Sequence, residues 1–300
     1  MAEPSVQPEA PPQGQVGHEH HHGHDHTAHQ HDHHAHAEAG GATLPPGAHP
    51  SFMRTIQQRQ RVKEKLSNVK HKIGVYSAKG GVGKTTVAIN VAYTLKQKGF
   101  KVGLLDADID CPNITMFLGM DDAKMEPVIP LKPLEKDGIV VASTAMLVDE
   151  LKRPIIWRGP IVAKMIGDFL ENTDWGELDY LVIDLPPGTS DSPLTIMQVL
   201  SLDGFIIVTN PQKIAGINSI RSGLMAKRLG APVLGVVENM SSGQPSDKTM
   251  EVVKTLDTVL LGTVARDGKI AEMTDRGRTH VLEDAGISRQ FQAIVDKILD

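Results

Sequence analysis

The chain has 300 residues, of which 40% are hydrophobic, and a formal net charge of -5. This length allows one substantial core with an extension, and the negative charge argues against a protein that grips nucleic-acid backbones. A single cysteine, Cys111, excludes an intrachain disulfide framework, and no apolar run approaches the ~20 residues that a membrane-spanning helix needs. No secretory signal is visible, so we expect a cytoplasmic protein without stable membrane insertion.

The first 50 residues are rich in Pro, Gly, Gln and His and contain almost no branched apolar side chains. This composition cannot offset the entropy of ordering, so we predict a disordered tail over residues 1–50. Imidazoles suit divalent metals such as Ni²⁺, Zn²⁺ and Co²⁺, although a polar tail that only solubilises is the alternative. The histidines of this tract are His18, His20, His21, His22, His24, His26, His29, His31, His33, His34 and His36.

Residues 51–70 combine basic and apolar positions at helical spacing, which predicts an amphipathic lead-in helix before a domain over residues 71–300. Beyond it, apolar runs alternate with helical patterns, which indicates an α/β fold with a mostly parallel sheet flanked by helices. The predicted strands are Ile73–Tyr76, Val102–Leu105, Ile139–Ala142, Leu181–Ile183, Phe205–Val208, Leu234–Val237 and Val259–Val264. The predicted helices are Lys84–Gln97, Ile161–Leu170, Pro193–Leu200 with Ser192 as its N-cap, Ile217–Leu229, Lys248–Leu256 and Arg289–Leu299.

A glycine-rich segment, Ser-Ala-Lys-Gly-Gly-Val-Gly-Lys-Thr-Thr over residues 77–86, joins the first strand to the helix that follows. In such a loop the backbone N–H groups surround a phosphate, Lys84 reaches its β and γ oxygens, and the Thr85 hydroxyl is offered to Mg²⁺. A purely structural glycine turn has no use for these two side chains. The segment therefore predicts a nucleoside triphosphate site made of Gly80, Gly81, Val82, Gly83, Lys84, Thr85 and Thr86.

Three acids stand at alternate positions after the second predicted strand, namely Asp106, Asp108 and Asp110. A carboxylate near the γ-phosphate can orient the attacking water, and we assign that role to Asp108. Asp106 and Asp110 are candidates for a role beside the metal or in a switch. Solvated strand-end acids are the alternative interpretation.

Asp184 ends a later apolar strand and precedes the stiff turn Leu-Pro-Pro-Gly. It suits a carboxylate that holds Mg²⁺ directly or through water, and the Gly188 N–H can reach the γ-phosphate. Asn239 offers a donor and an acceptor to an adenine edge, although Asn is also an ordinary turn residue. Because ligands bind beyond the carboxyl ends of parallel strands, one site should contain Ser77, Asp106, Asp184 and Asn210.

Taken together, these segments resemble the Mrp/ApbC branch of the deviant P-loop ATPases, within the MinD/ParA superfamily. The resemblance spans residue 66 to about residue 285, and its most specific stretches are residues 153–160, 174–191 and 236–241. It implies an ATP-hydrolysing homodimer that transfers iron-sulfur clusters to apo-metalloproteins. It also assigns Lys79, the extra lysine of the loop, to the phosphates of the partner subunit, adenine contact to Asn239, and switch roles to Asp108 and Gly188.

The sequence departs from that family at the expected cluster site. The family has a Cys-x-x-Cys pair after the Asn-Met-Ser block, whereas residues 242–247 read Ser-Gly-Gln-Pro-Ser-Asp. A symmetric bridging cluster needs two thiolates from each subunit, and Cys111 is either a ligand near the dimer seam or a small buried residue. Three functions therefore stay open: an iron-sulfur carrier, a divalent-metal chaperone ATPase that uses the histidine tract, and a MinD/ParA-like positioning ATPase.

Overall fold

The computed structural model describes residues 50–147, 159–189 and 191–300. Residues 1–49 of the predicted tail, which contain the histidine tract, lie outside these ranges, as do residues 153–158 of the family-specific stretch. The predicted disorder of the tail and its predicted metal binding therefore concern residues outside the described part of the chain.

The strands of the described chain form one eight-stranded sheet in the order β3-β4-β2-β5-β1-β6-β7-β8. The pairing of β3 with β4 at one edge is antiparallel, and the other pairings are parallel. The prediction of a mostly parallel sheet is thus confirmed. The strands are β1 (Val69–Tyr76), β2 (Val102–Asp106), β3 (Leu134–Lys136), β4 (Ile139–Ser143), β5 (Leu178–Asp184), β6 (Gly204–Thr209), β7 (Val233–Ser241) and β8 (Leu260–Ala265).

Helices lie in the connections between the parallel strands, as parallel pairing requires, and also before β1 and after β8. They are α1 (Pro50–Lys65), α2 (Lys84–Gln97), α3 (Ile114–Phe117), α4 (Gly159–Asn172), α5 (Asp191–Leu200), α6 (Lys213–Arg228), α7 (Asp247–Thr255), α8 (Gly268–Asp275), α9 (His280–Glu283) and α10 (Ala285–Leu299). A short 3-10 turn covers Thr144–Met146.

The core lies on both faces of the central strands. Every residue of β2 and of β6 is buried, as expected for parallel strands covered by helices on both sides. The lead-in helix α1 packs against α4 and α5, and its Val62 is buried in the core. The nucleotide-loop helix α2 is buried along most of its length, so its first turn is rigidly placed.

Several predicted boundaries are wrong. Helix α1 ends at Lys65 rather than residue 70, because Val69 already pairs in β1. Ser192 lies inside α5, which begins at Asp191, and is therefore not its N-cap. Helices α6 and α10 begin before the predicted Ile217 and Arg289, since the first turn of α6 contains Gly216, a poor helix former, and α10 opens with the cap described next.

Helix α10 starts where Asp284 accepts hydrogen bonds from the Gly286 and Ile287 N–H groups, a capping pattern that apolar periodicity does not reveal. The elements α3, β3, α8 and α9 were not predicted at all. No helix within the described ranges is both long and apolar enough to cross a membrane. The cytoplasmic location stays a prediction.

Candidate functional site

The ends of β2, β5 and β1 bring the predicted site residues together. Strand β5 lies between the other two, and Asp184 at its end is the register partner of Asp106 on one side and of Val75 on the other. The loop over residues 77–83 follows β1 directly. Asp184 is therefore placed between that loop and Asp106, as the strand-end argument predicted.

Gly83 closes the glycine-rich loop and forms the N-cap of α2 in a left-handed conformation, with φ +85°. A Cβ atom at this position would lie 2.0 Å from Asn239 Nδ2. The same amide group donates to the Val82 carbonyl at 2.9 Å, and Asn239 is buried. Both the backbone angle and the close approach require glycine here. Asn239, which lies in β7, holds the glycine-rich loop in place through its hydrogen bond to Val82. Adenine contact by Asn239 stays a prediction.

The side chains at the start of α2 converge on Asp184. Lys84 Nζ lies 2.5 Å from Asp184 Oδ1, and Thr85 Oγ1 donates to Asp184 Oδ2 at 2.6 Å. The ion pair is buried, with side-chain exposures of 8% for Lys84 and 1% for Asp184. Removal of either partner would leave an uncompensated buried charge, which is strongly destabilising. Thr86 is also buried, while Gly80 and Gly81 form the exposed loop tip.

Asp106 is fully buried and accepts three hydrogen bonds from its own surroundings. Its donors are the Asp108 N–H at 3.2 Å, the Ile114 N–H at 3.0 Å and the Ser143 hydroxyl at 3.3 Å. Burial, followed by the charge of Asp184, raises the pKa of Asp106 to about 7. Asp106 therefore fixes the segment between β2 and α3, a task that the sequence did not indicate.

Asp108 lies two residues beyond the strand end and is only 7% exposed. Its Oδ1 accepts the Cys111 N–H at 3.3 Å. Burial raises the pKa of Asp108 to about 6, against the opposing effect of the Lys84 charge. The carboxylate is therefore mostly ionised at neutral pH. Asp110 and Cys111, by contrast, are exposed.

Gly188 is held by the residues that end β1. Its N–H donates to the Ser77 carbonyl at 3.1 Å, and the Tyr76 hydroxyl donates to the Gly188 carbonyl. Gly188 has φ +100°, an angle that glycine adopts readily. Any role of this N–H at a phosphate requires its bond to Ser77 to break.

Lys79 has a partner within its own chain. Its Nζ donates to Gln212 Oε1 at 2.8 Å, and the Gln212 N–H in turn donates to Asn210 Oδ1 at 3.2 Å. Gln212 was not predicted as a site residue, although it lies two positions after the predicted strand-end residue Asn210. The assignment of Lys79 to a partner subunit stays a prediction.

The donors beside the loop fit Mg²⁺. Thr85 and Asp184 supply hard oxygen ligands, and Mg²⁺ usually takes one or two carboxylates together with water and substrate phosphate oxygens. Within the described ranges no group of three or more His, Cys, Asp or Glu side chains is placed to hold a metal ion. Cys111 accordingly has no such companions there.

The position of the missing cysteine pair does not fit an iron-sulfur cluster. At the end of β7, Ser241 Oγ donates to the Gln244 carbonyl in the following loop at 2.9 Å. Ser246 caps α7 through the Thr249 N–H at 3.2 Å, and its hydroxyl donates to the buried Glu238 at 2.5 Å. These hydroxyls serve local structure, and thiolates, the usual cluster ligands, are absent from residues 242–247.

Comparisons with known proteins agree on one family. A ParA-type family model described as NUBPL iron-transfer P-loop NTPase matches residues 68–299. The chain is 42% identical over 258 residues to an iron-sulfur cluster carrier protein of Methanocaldococcus jannaschii, which covers 81% of this chain and 89% of that protein. It is 38% identical over 253 residues to an iron-sulfur cluster carrier protein of Aquifex aeolicus, covering 79% of this chain and 70% of that one.

Solved structures give the same result. A nucleotide-binding protein of Archaeoglobus fulgidus, in complex with ADP and with Co found in it, matches with a TM-score of 0.66 and 34% identity, covering 75% of this chain and 94% of that chain. The cell division ATPase MinD of Pyrococcus furiosus matches with a TM-score of 0.61 at 22% identity, covering 77% and 99%, and shows the shared fold. The chain belongs to the NUBPL iron-transfer P-loop NTPase family.

Proposed function

We propose that this protein binds and hydrolyses ATP with Mg²⁺ as a homodimer, and that its nucleotide state controls the binding and release of a metal-containing cargo destined for apo-metalloproteins. The observation that carries the ATPase part is the convergence of Lys84 and Thr85 on the buried Asp184. The ADP complex of the similar Archaeoglobus fulgidus protein supports a nucleotide as the ligand.

The residues divide the chemistry among them. The N–H groups of the loop and Lys84 bind phosphate oxygens, for which Lys84 has to leave Asp184. Thr85 and Asp184 would hold Mg²⁺, which supplies positive charge at the phosphate oxygens. Asp108 orients the attacking water, because it is ionised at neutral pH and nearly shielded from solvent.

Exposed apolar side chains beside the loop are consistent with the homodimer. Ile214 and Ile217 of α6 are 59% and 47% exposed, and Met240, whose side chain lies beside Gly83, is 40% exposed. Ile214 follows Gln212, the partner of Lys79, by two positions. In the dimer, Lys79 would exchange Gln212 for the nucleotide of the partner subunit.

The identity of the cargo is inferred from the relatives and from the sequence. Iron-sulfur clusters are named in the relatives, and the thiols available to a dimer of this chain are the two copies of Cys111. A cluster would then rest on those two thiols or on thiols of the recipient. A second candidate cargo is a divalent metal, favoured by the histidine tract and by the Co found in the Archaeoglobus fulgidus protein. The positioning-ATPase alternative rests on fold alone.

The ATPase part is tested by steady-state ATP turnover of the full chain with and without Mg²⁺. We expect Lys84→Ala to lower turnover by about a thousandfold, since it removes the charge that binds the phosphates. Lys96→Ala, on the exposed end of the same helix, is the matched control and should retain turnover. Unaffected turnover in Lys84→Ala would end the P-loop interpretation.

The dimer part is tested with Lys79→Ala. We expect impaired hydrolysis while nucleotide binding to the monomer stays measurable, because Lys79 would act only across the interface. Sedimentation with and without a slowly hydrolysed ATP analogue reports the assembly directly. Equal loss of binding and hydrolysis would contradict a role across the interface.

The cargo part is tested by anaerobic reconstitution with iron and sulfide, followed by iron analysis and visible absorbance per dimer. A stable cluster that Cys111→Ser abolishes would support iron-sulfur transfer from an unusual two-thiol site. No cluster in the unmodified protein would favour the divalent-metal cargo.

A further inference from the structure

Lys79, the extra lysine of the nucleotide loop, has a defined position within the single chain. Its carbonyl accepts the Ser77 hydroxyl at 3.0 Å, which fixes the backbone from which the side chain starts. At the other end of that side chain, Nζ donates to Gln212 Oε1 at 2.8 Å. The lysine therefore lies against a residue just beyond the end of β6, the strand that neighbours β1.

Gln212 is held in place by its backbone and not by its side chain. Its N–H donates to Oδ1 of the buried Asn210 at 3.2 Å, and its carbonyl accepts the N–H groups of Ala215 and Gly216 at 3.0 and 3.2 Å. Gln212 is the N-cap of α6, yet its side chain makes no capping hydrogen bond. Among the described residues, the partner of the side-chain amide is Lys79.

A neutral amide is a suitable acceptor for a lysine that later has to move. The bond between the ammonium group and the amide oxygen is charge-assisted, but no opposite charge holds the ammonium group there. Within the described ranges Lys79 forms no ion pair, whereas Lys84 faces the carboxylate of Asp184. Phosphate oxygens are charged and therefore stronger acceptors than an amide oxygen, so a nucleotide competes well for Lys79.

We propose that Gln212 is a positioning residue that holds Lys79 within its own subunit, and that this bond sets how readily the nucleotide-bound dimer forms. The inference rests on the proposed homodimeric function. Only chains in which Lys79 is free can engage the partner subunit, so the apparent dissociation constant of the dimer includes the fraction of such chains. In a two-fold symmetric dimer each subunit supplies one lysine, so two of these bonds break and their effect is squared.

The test is the apparent dissociation constant of the dimer, measured by sedimentation of the full chain with Mg²⁺ and a slowly hydrolysed ATP analogue. Gln212→Ala removes the acceptor, so we expect the constant to fall about tenfold, which is about threefold for each bond. Gln212→Leu keeps a bulky side chain without an acceptor and should have the same effect. Gln212→Glu supplies a carboxylate that pairs with Lys79, so we expect the constant to rise about tenfold.

Two further measurements exclude a merely structural role of Gln212. The midpoint of thermal unfolding should be the same in the three variants and the parent, because the backbone bonds of Gln212 are kept. The rise caused by Gln212→Glu, relative to the parent, should shrink in about 0.5 M salt, since an exposed ion pair is screened. Gln198→Ala and Gln198→Glu, at an exposed position of α5, are the matched controls and should leave the dissociation constant unchanged.

The result for the unmodified chain decides which proposal fails. A chain that stays monomeric with the analogue overturns the homodimer and this inference with it. In a chain that dimerises, the role of Gln212 alone is overturned if Gln212→Ala has no effect, or if Gln212→Ala and Gln212→Glu shift the dissociation constant in the same direction.

Discussion

Two loops follow carboxyl ends of strands, one between β1 and α2 and the other between β7 and α7. Their polar groups have different roles. In the first, Lys84 and Thr85 converge on a single buried acid, an arrangement that can accept a phosphate and a cation. In the second, Ser241 and Ser246 are committed to local hydrogen bonds. The first loop thus has the residues expected of a nucleotide site, whereas the expected cluster position lacks the cysteine pair and makes local hydrogen bonds instead.

The largest effect should come from the acid at the centre of the first loop. Asp184→Asn removes the charge that Lys84 and Thr85 face, so we expect ATP turnover to fall by about a thousandfold. Asp179→Asn, at the opposite end of β5 and paired with Lys70, is the control and should keep its turnover. Turnover of Asp184→Asn within about tenfold of the parent would contradict the role of the first loop as the nucleotide site.

Deletion of residues 18–36 tests whether the divalent metal ions bind to the tail and not to the second loop. We expect the loss of most Ni²⁺ or Zn²⁺ bound per chain, because these residues contain eleven of the fourteen histidines. ATP turnover should be retained. The bound metal is measured by equilibrium dialysis, with deletion of residues 1–17 as the control. Unchanged stoichiometry would refute the tail as the principal store.

The acidity of Asp108 predicts how the first loop responds to pH. Its pKa is raised to about 6, and the water-orienting form is the ionised one, so turnover should fall as pH drops through 6. We expect about a tenfold loss between pH 8 and pH 5, measured on kcat at saturating ATP. Asp108→Asn should show low turnover that does not fall further as the pH drops through 6. If kcat did not change down to pH 5, a group other than Asp108 would have to orient the attacking water.

The smallest effect concerns the second loop itself. Ser246→Ala removes the N-cap of α7 and a hydrogen bond to Glu238, so we expect the free energy of unfolding to drop by about 1 to 2 kcal/mol. Turnover measured well below the unfolding midpoint should be unchanged. Ser242→Ala, exposed in the same loop, serves as the control. Lost turnover in a stable Ser246→Ala chain would show that this loop still serves the nucleotide site.

The sequence predicted the features that depend on local pattern. The strand, glycine loop and helix around Lys84 were foreseen because each has its own spacing, and Asp184 because an apolar run ends there. Helix α8 was missed because none of its residues is buried, so no apolar stripe marks it. Strand β3 was missed because three residues are too short to show alternation.

Contacts between distant residues were also beyond prediction. Tyr76 and Gly188 are 112 positions apart, and Lys79 and Gln212 are 133 apart. Which residues meet at such distances is decided by the order of strands in the sheet, here β5-β1-β6, rather than by any local pattern. The role of Asp106 in fixing the start of α3 was hidden for the same reason, since an acid after a strand looks identical whether it binds a metal or backbone N–H groups.

The buried pair of Lys84 and Asp184 also has a consequence for affinity. Nucleotide has to compete with Asp184 for the lysine, so the measured dissociation constant includes the free energy of separating that pair. A divalent cation that takes over the carboxylate would offset this loss. Thermodynamic linkage then requires each of the two to tighten the binding of the other by the same factor, so calorimetric titrations run in either order should give one common coupling constant.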